Sequence, residues 1–280
     1  MDLRISKLYR YPVKSMGGVE LQHATIDRFG IERDRRWMLV DDDGKFITQR
    51  KVPQMTLLDV KEFQLAEGDW GLTIQASEEI DLPGKCEQQL SFSVAEHFAM
   101  NEILSVEVWD DVCEGRVADD CVNQWLSSVL CMPCRLVFME ATYCRNVDNK
   151  YANNNETVSF ADGFPLLLTT ESSLAALNRH LELPIEMLRF RPNLVISGNG
   201  SFAEDSWKTL RVGNIEFCVA KPCSRCAIPT INRRSAKKEP AVFKALRQHR
   251  SVGKDVYFGQ NLLTMNVGTI SVGDKVEIIA

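Results

Sequence analysis

The sequence predicts a mainly β fold with a few helices (α+β), in which an amino-terminal unit of barrel or sandwich type packs on a second β-rich unit. Three observations carry this. Short segments of mixed or alternating polarity recur at even spacing between Gly and Asp turn signals, the pattern of barrels and sandwiches. Few stretches show the apolar period of an amphipathic helix. The chain changes character near residue 115 without a long Pro, Gly or Ser linker. A division into residues 1–115 and 116–280 therefore implies intimate packing.

In chain order, Leu3–Val13, Val19–Ile26, Trp37–Val40 and Lys45–Gln49 read as strands. Gly17-Gly18 and Asp41-Asp42-Asp43-Gly44 separate them, and the Asp-Gly pair is a hairpin signal. Further strands are expected at Thr56–Glu62, Gly71–Ala76, Leu90–Val94 and Ser105–Trp109. Asp119–Leu130 is a helix, with Val122, Trp125, Leu126 and Val129 on one face and Pro133 forbidding continuation. A strand at Cys134–Met139 follows. A second helix spans Glu171–Leu183, capped by Thr169 or Thr170. Leu194–Ile196, Thr209–Val212 and Ile215–Val219 are strands, Pro240–Gln248 is a helix, and Gly268–Ser271 and Lys275–Ile279 close the chain. The polar tract Asn146–Glu156 reads as a mobile loop.

Composition narrows the class. Of 280 residues, 45% are hydrophobic and 25% charged, ordinary for a globular protein. The net charge of −5 argues against a nucleic-acid-binding surface. The first residues carry charges throughout and no apolar signal core, and no run of 18 apolar residues suggests a membrane span. Nine cysteines at irregular spacing fit a cytoplasmic protein with reduced thiols. No phosphate-binding glycine loop, dinucleotide fingerprint or nucleophile elbow is present.

The chemistry-bearing tract is Lys221-Pro222-Cys223-Ser224-Arg225-Cys226. It sets two thiols three residues apart with a guanidinium beside the second, and a neighbouring cation favours the thiolate that binds metals. With Cys131 and Cys134 it also reads as a four-thiolate zinc site, although the intervening spacing is far longer than a zinc ribbon needs. A dithiol redox pair lacks its usual βαβ context. Cys86, Cys113, Cys121, Cys131, Cys134, Cys144 and Cys218 read as small buried hydrophobes. Lys14 and Ser15 end the first strand with a point charge and a hydroxyl, both suited to phosphate. Arg33-Asp34-Arg35-Arg36 precedes a strand, and such a run is commonly a solvated face. Arg191-Pro192-Asn193 places a guanidinium and an amide about a fixed bend. The amide suits a heterocycle edge.

Taken together, Tyr11-Pro12-Val13-Lys14-Ser15, Arg33-Asp34-Arg35, Phe46-Ile47-Thr48-Gln49-Arg50, Phe160-Ala161-Asp162-Gly163, Phe190-Arg191-Pro192-Asn193, Pro222-Cys223-Ser224-Arg225-Cys226 and Phe258-Gly259-Gln260-Asn261 occur in this order. The succession resembles MOSC-domain proteins with an amino-terminal β-barrel, of the YcbX-like and mitochondrial amidoxime-reducing type, over nearly the whole chain.

The resemblance implies an amino-terminal β-barrel domain packed on a MOSC β-barrel domain. It also implies a molybdenum cofactor, a pterin bearing a dithiolene and a phosphate, with Cys226 as the metal ligand and catalytic position. By the same likeness Lys14, Ser15, Arg35, Arg191 and Asn193 contact the cofactor, Ser224 and Arg225 flank the ligand, and Cys223 does not bind the metal. The implied activity is reduction of small N-hydroxylated compounds (amidoximes, hydroxylamines, N-hydroxylated base analogues). The alternative is a cofactor or sulfur carrier using Cys226 without redox turnover. Relatives that continue into a ferredoxin-like domain carry their own iron–sulfur centre. Here the sequence stops at Ala280, so either the electrons are expected from a separate iron–sulfur or flavin protein, or the sequence is a piece of a longer chain that carries such a domain. The tract after Cys226, Ala227-Ile228-Pro229-Thr230, departs from the relatives' usual paired threonines, which bears on loop shape and substrate preference.

Overall fold

Short segments bounded by turn residues form strands throughout, and strands are the main element of the computed structural model. It describes residues 2–65, 68–84, 86–98, 101–143, 145–152 and 156–280. Cys144 and part of the tract from Asn146 to Glu156 lie outside the described residues. The first stretch contains β1 (Arg4–Arg10), β2 (Val19–Leu21), β3 (His23–Asp27), β4 (Gly30–Ile31), β5 (Trp37–Val40), β6 (Leu58–Gln64), β7 (Trp70–Ala76), β8 (Gln89–Ser93), α1 (Val94–His97), β9 (Ile103–Val108) and β10 (Asp111–Val117). Then come α2 (Asp120–Leu130), β11 (Arg135–Phe138), β12 (Leu166–Thr170), α3 (Glu171–Asn178), β13 (Leu194–Ser197), β14 (Thr209–Val212) and β15 (Ile215–Ser224). The chain closes with α4 (Pro240–Arg250), β16 (Ser251–Val252), β17 (Asp255–Thr264), β18 (Gly268–Ser271) and β19 (Val276–Ile278).

A nine-stranded sheet runs β19-β14-β15-β17-β12-β13-β1-β2, with β16 on β17. Smaller sheets run β5-β11-β10-β9, β6-β7-β8 and β18-β3-β4. The first strand thus belongs to the large sheet, pairing with β13. Its Ile5 and Leu8 share a core with Leu168, Leu194, Phe217 and Leu262. Just beyond it, Val13 and Met16 enter a second core with Trp37, Leu72, Phe92, Leu126 and Leu136. Lys14 and Ser15 lie between Val13 and Met16, two residues of this second core. Residues 110–118, expected to join two units, are largely strand β10, paired to both β9 and β11.

Several local expectations need correction. Lys45–Gln49 forms no strand. After the turn at Gly44 (φ 77°) its amides reach two different neighbours, Phe46 N–H to Glu107 O (3.2 Å) and Ile47 N–H to Leu39 O (2.8 Å), so no ladder builds. The second helix stops at Asn178, whose side-chain amide both donates to Ile185 O and accepts from Ile185 N–H at 3.0 Å, folding the chain back. β12 is a fully buried run, which shows no alternation for a sequence reading to catch. β17 hides in a tract interrupted by Gly259, Gln260 and Asn261. Cys131 is exposed, because it closes α2 in the left-handed conformation (φ 52°) and turns outward. Cys121 is exposed on the same helix, whereas Cys113 and Cys134 are buried. Burial pushes the Cys113 thiol up to about 11. Among the described residues no three His, Cys, Asp or Glu side chains converge as a ligand set, so the four-thiolate reading has no cluster to rest on.

Candidate functional site

Lys14, Ser15, Arg35, Arg191, Asn193, Ser224, Arg225 and Cys226 all line one open cleft of about 810 Å³. They come from the crossover after β1, the turn before β5, the approach to β13 and the end of β15. The wall carries five cations (Lys14, Arg35, Arg50, Arg191, Arg225) and one carboxylate, Asp162. This local excess of positive charge sits in a chain of net charge −5.

Backbone geometry sets the cationic wall. Ser15 (φ 70°), Arg35 (φ 48°) and Arg191 (φ 56°) are all left-handed, a region non-glycine residues rarely occupy and which concentrates at functional sites. Arg35 N–H bonds to Tyr11 O at 2.8 Å and Lys14 N–H to Trp37 O at 2.8 Å, fixing the two turns against each other. The buried Asp34 carboxylate accepts from Tyr11 N–H (2.7 Å) and from the Arg35 guanidinium. The Arg33–Arg36 run is therefore not a solvated face: Arg36 is buried and donates to Met139 O (2.9 Å).

Tyr11 holds two like charges together. The Arg35 and Arg191 guanidinium carbons lie 4.3 and 4.2 Å from its ring centroid, where the negative ring face offsets part of their repulsion. The Tyr11 hydroxyl donates to Pro192 O at 3.1 Å, and burial pushes its phenol far above the ordinary value. Burial, then the Arg35 charge, pulls the Arg191 guanidinium down to about 10. Asn193 is almost wholly buried, and its amide is committed to the protein. Its oxygen accepts from Arg35 (2.9 Å) and Leu167 N–H (3.2 Å), and its nitrogen donates to Tyr9 O (3.2 Å). It positions Arg35 from the cleft wall, with its oxygen fully engaged and one amide N–H given to Tyr9 O.

Lys14 Nζ is almost buried, donating to Phe160 O (2.7 Å) and Asp162 Oδ1 (2.5 Å). Burial lowers the Lys14 ammonium, and Asp162 opposes that. Desolvation alone would raise the Asp162 carboxyl. With 64% of its side-chain surface exposed, that effect gives way to Lys14, which holds the carboxyl below the usual range. Arg145, which the sequence did not flag, aims its guanidinium at Ser159 O (3.0 Å) and Asp162 O (2.9 Å) and shapes this loop. Thr48, Arg50, Asp162 and Asn261 also line the cleft without having been assigned roles. Their signal was their place inside the quoted motifs.

The thiol tract is set by irregular pairing. Between Pro222↔Gln260 and Ser224↔Tyr257, β17 carries one residue more than β15. Gly259 (φ 79°) lies in that bulge, which re-aims the facing strand. Contrary to the arrangement expected from sequence, the Arg225 guanidinium reaches Cys223 Sγ (3.0 Å) and Phe190 O (2.8 Å). Cys226 is half-buried and unpaired by any disulfide. Two cleft-wall nitrogens, Arg191 Nη2 and Arg225 Nε, are buried without a hydrogen-bond partner. Buried donors are normally satisfied, so such orphans mark donors waiting for an acceptor.

Comparison with known proteins identifies the family. Residues 2–133 match the MOSC N-terminal beta barrel domain and residues 155–277 the MOSC domain. Human mitochondrial amidoxime-reducing component 1 is 32% identical over 294 residues, 98% of this chain and 82% of that protein. Its Xenopus laevis counterpart is 30% identical over 97% of this chain and 81% of its own length. The rice molybdenum cofactor sulfurase is 30% identical over 99% of this chain, which corresponds to 34% of that longer protein. The chain belongs to the MOSC family, as a MOSC domain preceded by its N-terminal β-barrel domain.

Proposed function

We propose that this protein is a molybdenum-cofactor-dependent oxidoreductase that reduces small N-hydroxylated compounds, with electrons delivered by a separate iron–sulfur or flavin protein. The supporting observation is the convergence on one cleft of two thiols (Cys223 and Cys226), five cations and two orphaned guanidinium nitrogens, Arg191 Nη2 and Arg225 Nε. That donor set fits a group bearing a phosphate and a soft metal, since guanidinium forks match phosphate oxygens and thiolate suits a metal already held by sulfur. The relatives named amidoxime-reducing components point to the same substrate class.

In this reading Cys226 would supply the protein thiolate. Lys14, Arg191 and Arg225 would face the anionic end, and Ser15 and Ser224 would add hydroxyl and backbone groups beside it. Arg35 is tied down by Asp34 and Asn193, and acts by holding the Arg191 turn. The bound cofactor supplies the two-electron chemistry, and the protein positions it. The substrate's N–O bond breaks, two electrons and two protons are taken up, and water leaves with the amine or amidine. Asp162 is held ionised by Lys14, so it anchors that cation and does not donate a proton.

The test is benzamidoxime reduction by protein loaded with molybdenum cofactor, using reduced viologen as donor and benzamidine as the measured product. Turnover supports the reductase. Stoichiometric cofactor without turnover overturns it in favour of a cofactor or sulfur carrier, the reading favoured by similarity to the plant sulfurase.

A further inference from the structure

A second cleft adjoins the first, and the two share Thr48 and Arg50. Two aromatic rings and three cations dominate it: Phe46, Trp109, Lys45, Arg50 and Lys51. We infer that it is the substrate-selecting subsite, and that it takes planar aromatic N-hydroxy compounds carrying a negative charge. This rests on the reductase reading above.

The first argument is Trp109. It is the first of two residues linking β9 to β10, because Val108 and Asp111 are paired. Its φ is 60°, at a loop position where two-residue hairpins favour glycine. A bulky residue there is strained, and its indole is 45% exposed. Neither turn formation nor core packing explains that choice. The ring is nevertheless held in place: Phe46 lies 5.3 Å away between centroids, the Arg50 guanidinium carbon sits 4.3 Å from its centroid, and Trp109 Nε1 donates to Asp162 Oδ1 at 3.2 Å. Asp162 Oδ1 also accepts from Lys14, so one carboxylate ties the aromatic wall to the cationic wall of the first cleft.

The second argument is charge. Among the described residues Lys45, Arg50 and Lys51 have no salt-bridge partner, while Glu107 is the one carboxylate on this cleft's lining. Glu107 is fixed by its backbone, which bonds to Phe46 N–H and Gly44 O. Cations without a salt-bridge partner beside the exposed Trp109 ring and the half-buried Phe46 ring recognise an aromatic anion through both features: the ring stacks and the charge is met. A ring resting on Trp109 or Phe46 lies beside the cleft that holds Cys226.

Two measurements test this. Cofactor-free protein is titrated with 4-carboxybenzamidoxime while tryptophan fluorescence is followed. Quenching is expected, lost in Trp109→Phe and displaced to higher concentration in Arg50→Gln and Lys45→Gln. Cofactor-loaded protein is then assayed with benzamidoxime and its para-carboxylate and para-trimethylammonium derivatives. The carboxylate is expected to show kcat/KM about five- to tenfold above the trimethylammonium compound, the scale of a few exposed charge pairs. That ratio should shrink in Arg50→Gln and Lys45→Gln and in high salt. Equal kcat/KM for the three compounds, or unchanged quenching in Trp109→Phe, overturns the subsite. If none of the three is turned over, the reductase reading fails, and the fluorescence titration still decides whether this cleft binds aromatic anions.

Discussion

Arg225 spends its guanidinium on Cys223 Sγ, 3.0 Å away, and leaves its neighbour Cys226 without that contact. Residues i and i+2 on an extended segment share a face, so a cation at 225 meets the thiol at 223. Both thiols line the cleft, and they differ in that Cys223 accepts from the Arg225 guanidinium.

Cys226→Ser is expected to lower bound molybdenum by roughly tenfold or more, an oxygen replacing a soft thiolate ligand, and to bring benzamidoxime turnover to background. Cys223→Ser is expected to stay within about fivefold of wild type, because a serine oxygen also accepts from Arg225. Elemental analysis and turnover on the same preparations check this. Equal molybdenum in Cys226→Ser and wild type would refute the ligand assignment.

Arg191→Met removes a charge that folding places next to Arg35 and leaves half-satisfied. Without cofactor the variant should change in stability by less than about 1 kcal/mol, since the lost bond to Met16 O is offset by relieved desolvation and repulsion. Cofactor retention should fall on the order of tenfold, the scale of a lost charged hydrogen bond. Thermal unfolding and pterin fluorescence separate the two effects. A strongly destabilised cofactor-free form would show that Arg191 serves the fold.

Asp162→Asn leaves the Lys14 ammonium almost buried without its counter-charge. A fully buried pair would lose about 3–5 kcal/mol. Asp162 is largely in water, so roughly 2 kcal/mol is expected. The sign with pH follows from the carboxyl being held below its ordinary value. The pair's contribution is complete above the unfolded carboxyl value and is lost as pH falls through the lower folded one. Wild type should therefore lose stability below about pH 4 more steeply than Asp162→Asn. Parallel denaturation profiles across that window would remove the pair from the account.

Gly259→Ala tests the bulge behind the thiol tract. At φ 79° an added Cβ would lie 2.6 Å from Leu168 O and 2.9 Å from Thr169 Cγ2. Left-handed strain and overpacking together predict a loss of about 2–4 kcal/mol. Chemical denaturation measures it, and a loss below about 0.5 kcal/mol would mean the strand relaxes freely there.

Residue type and order alone determined the β-rich class, the helix Asp120–Leu130 with Pro133 just beyond it, and a threonine cap on the helix that begins at Glu171, while the order of the motifs carried the family resemblance. Turn residues, a 3.6-residue apolar period and motif order are all local signals. Tertiary structure decided what no local signal encodes. β12 reads as featureless because both its faces are buried, and Lys45–Gln49 has strand character but is split between two partners. It also decided which atoms within the cleft are free. The Asn193 oxygen is taken by Leu167 and Arg35 and one amide N–H by Tyr9, and Arg225 looked poised on Cys226 yet turns to Cys223. A sequence lists donors and acceptors. Only the packed chain fixes which are already paired, because pairing depends on distances set by residues more than a hundred positions apart.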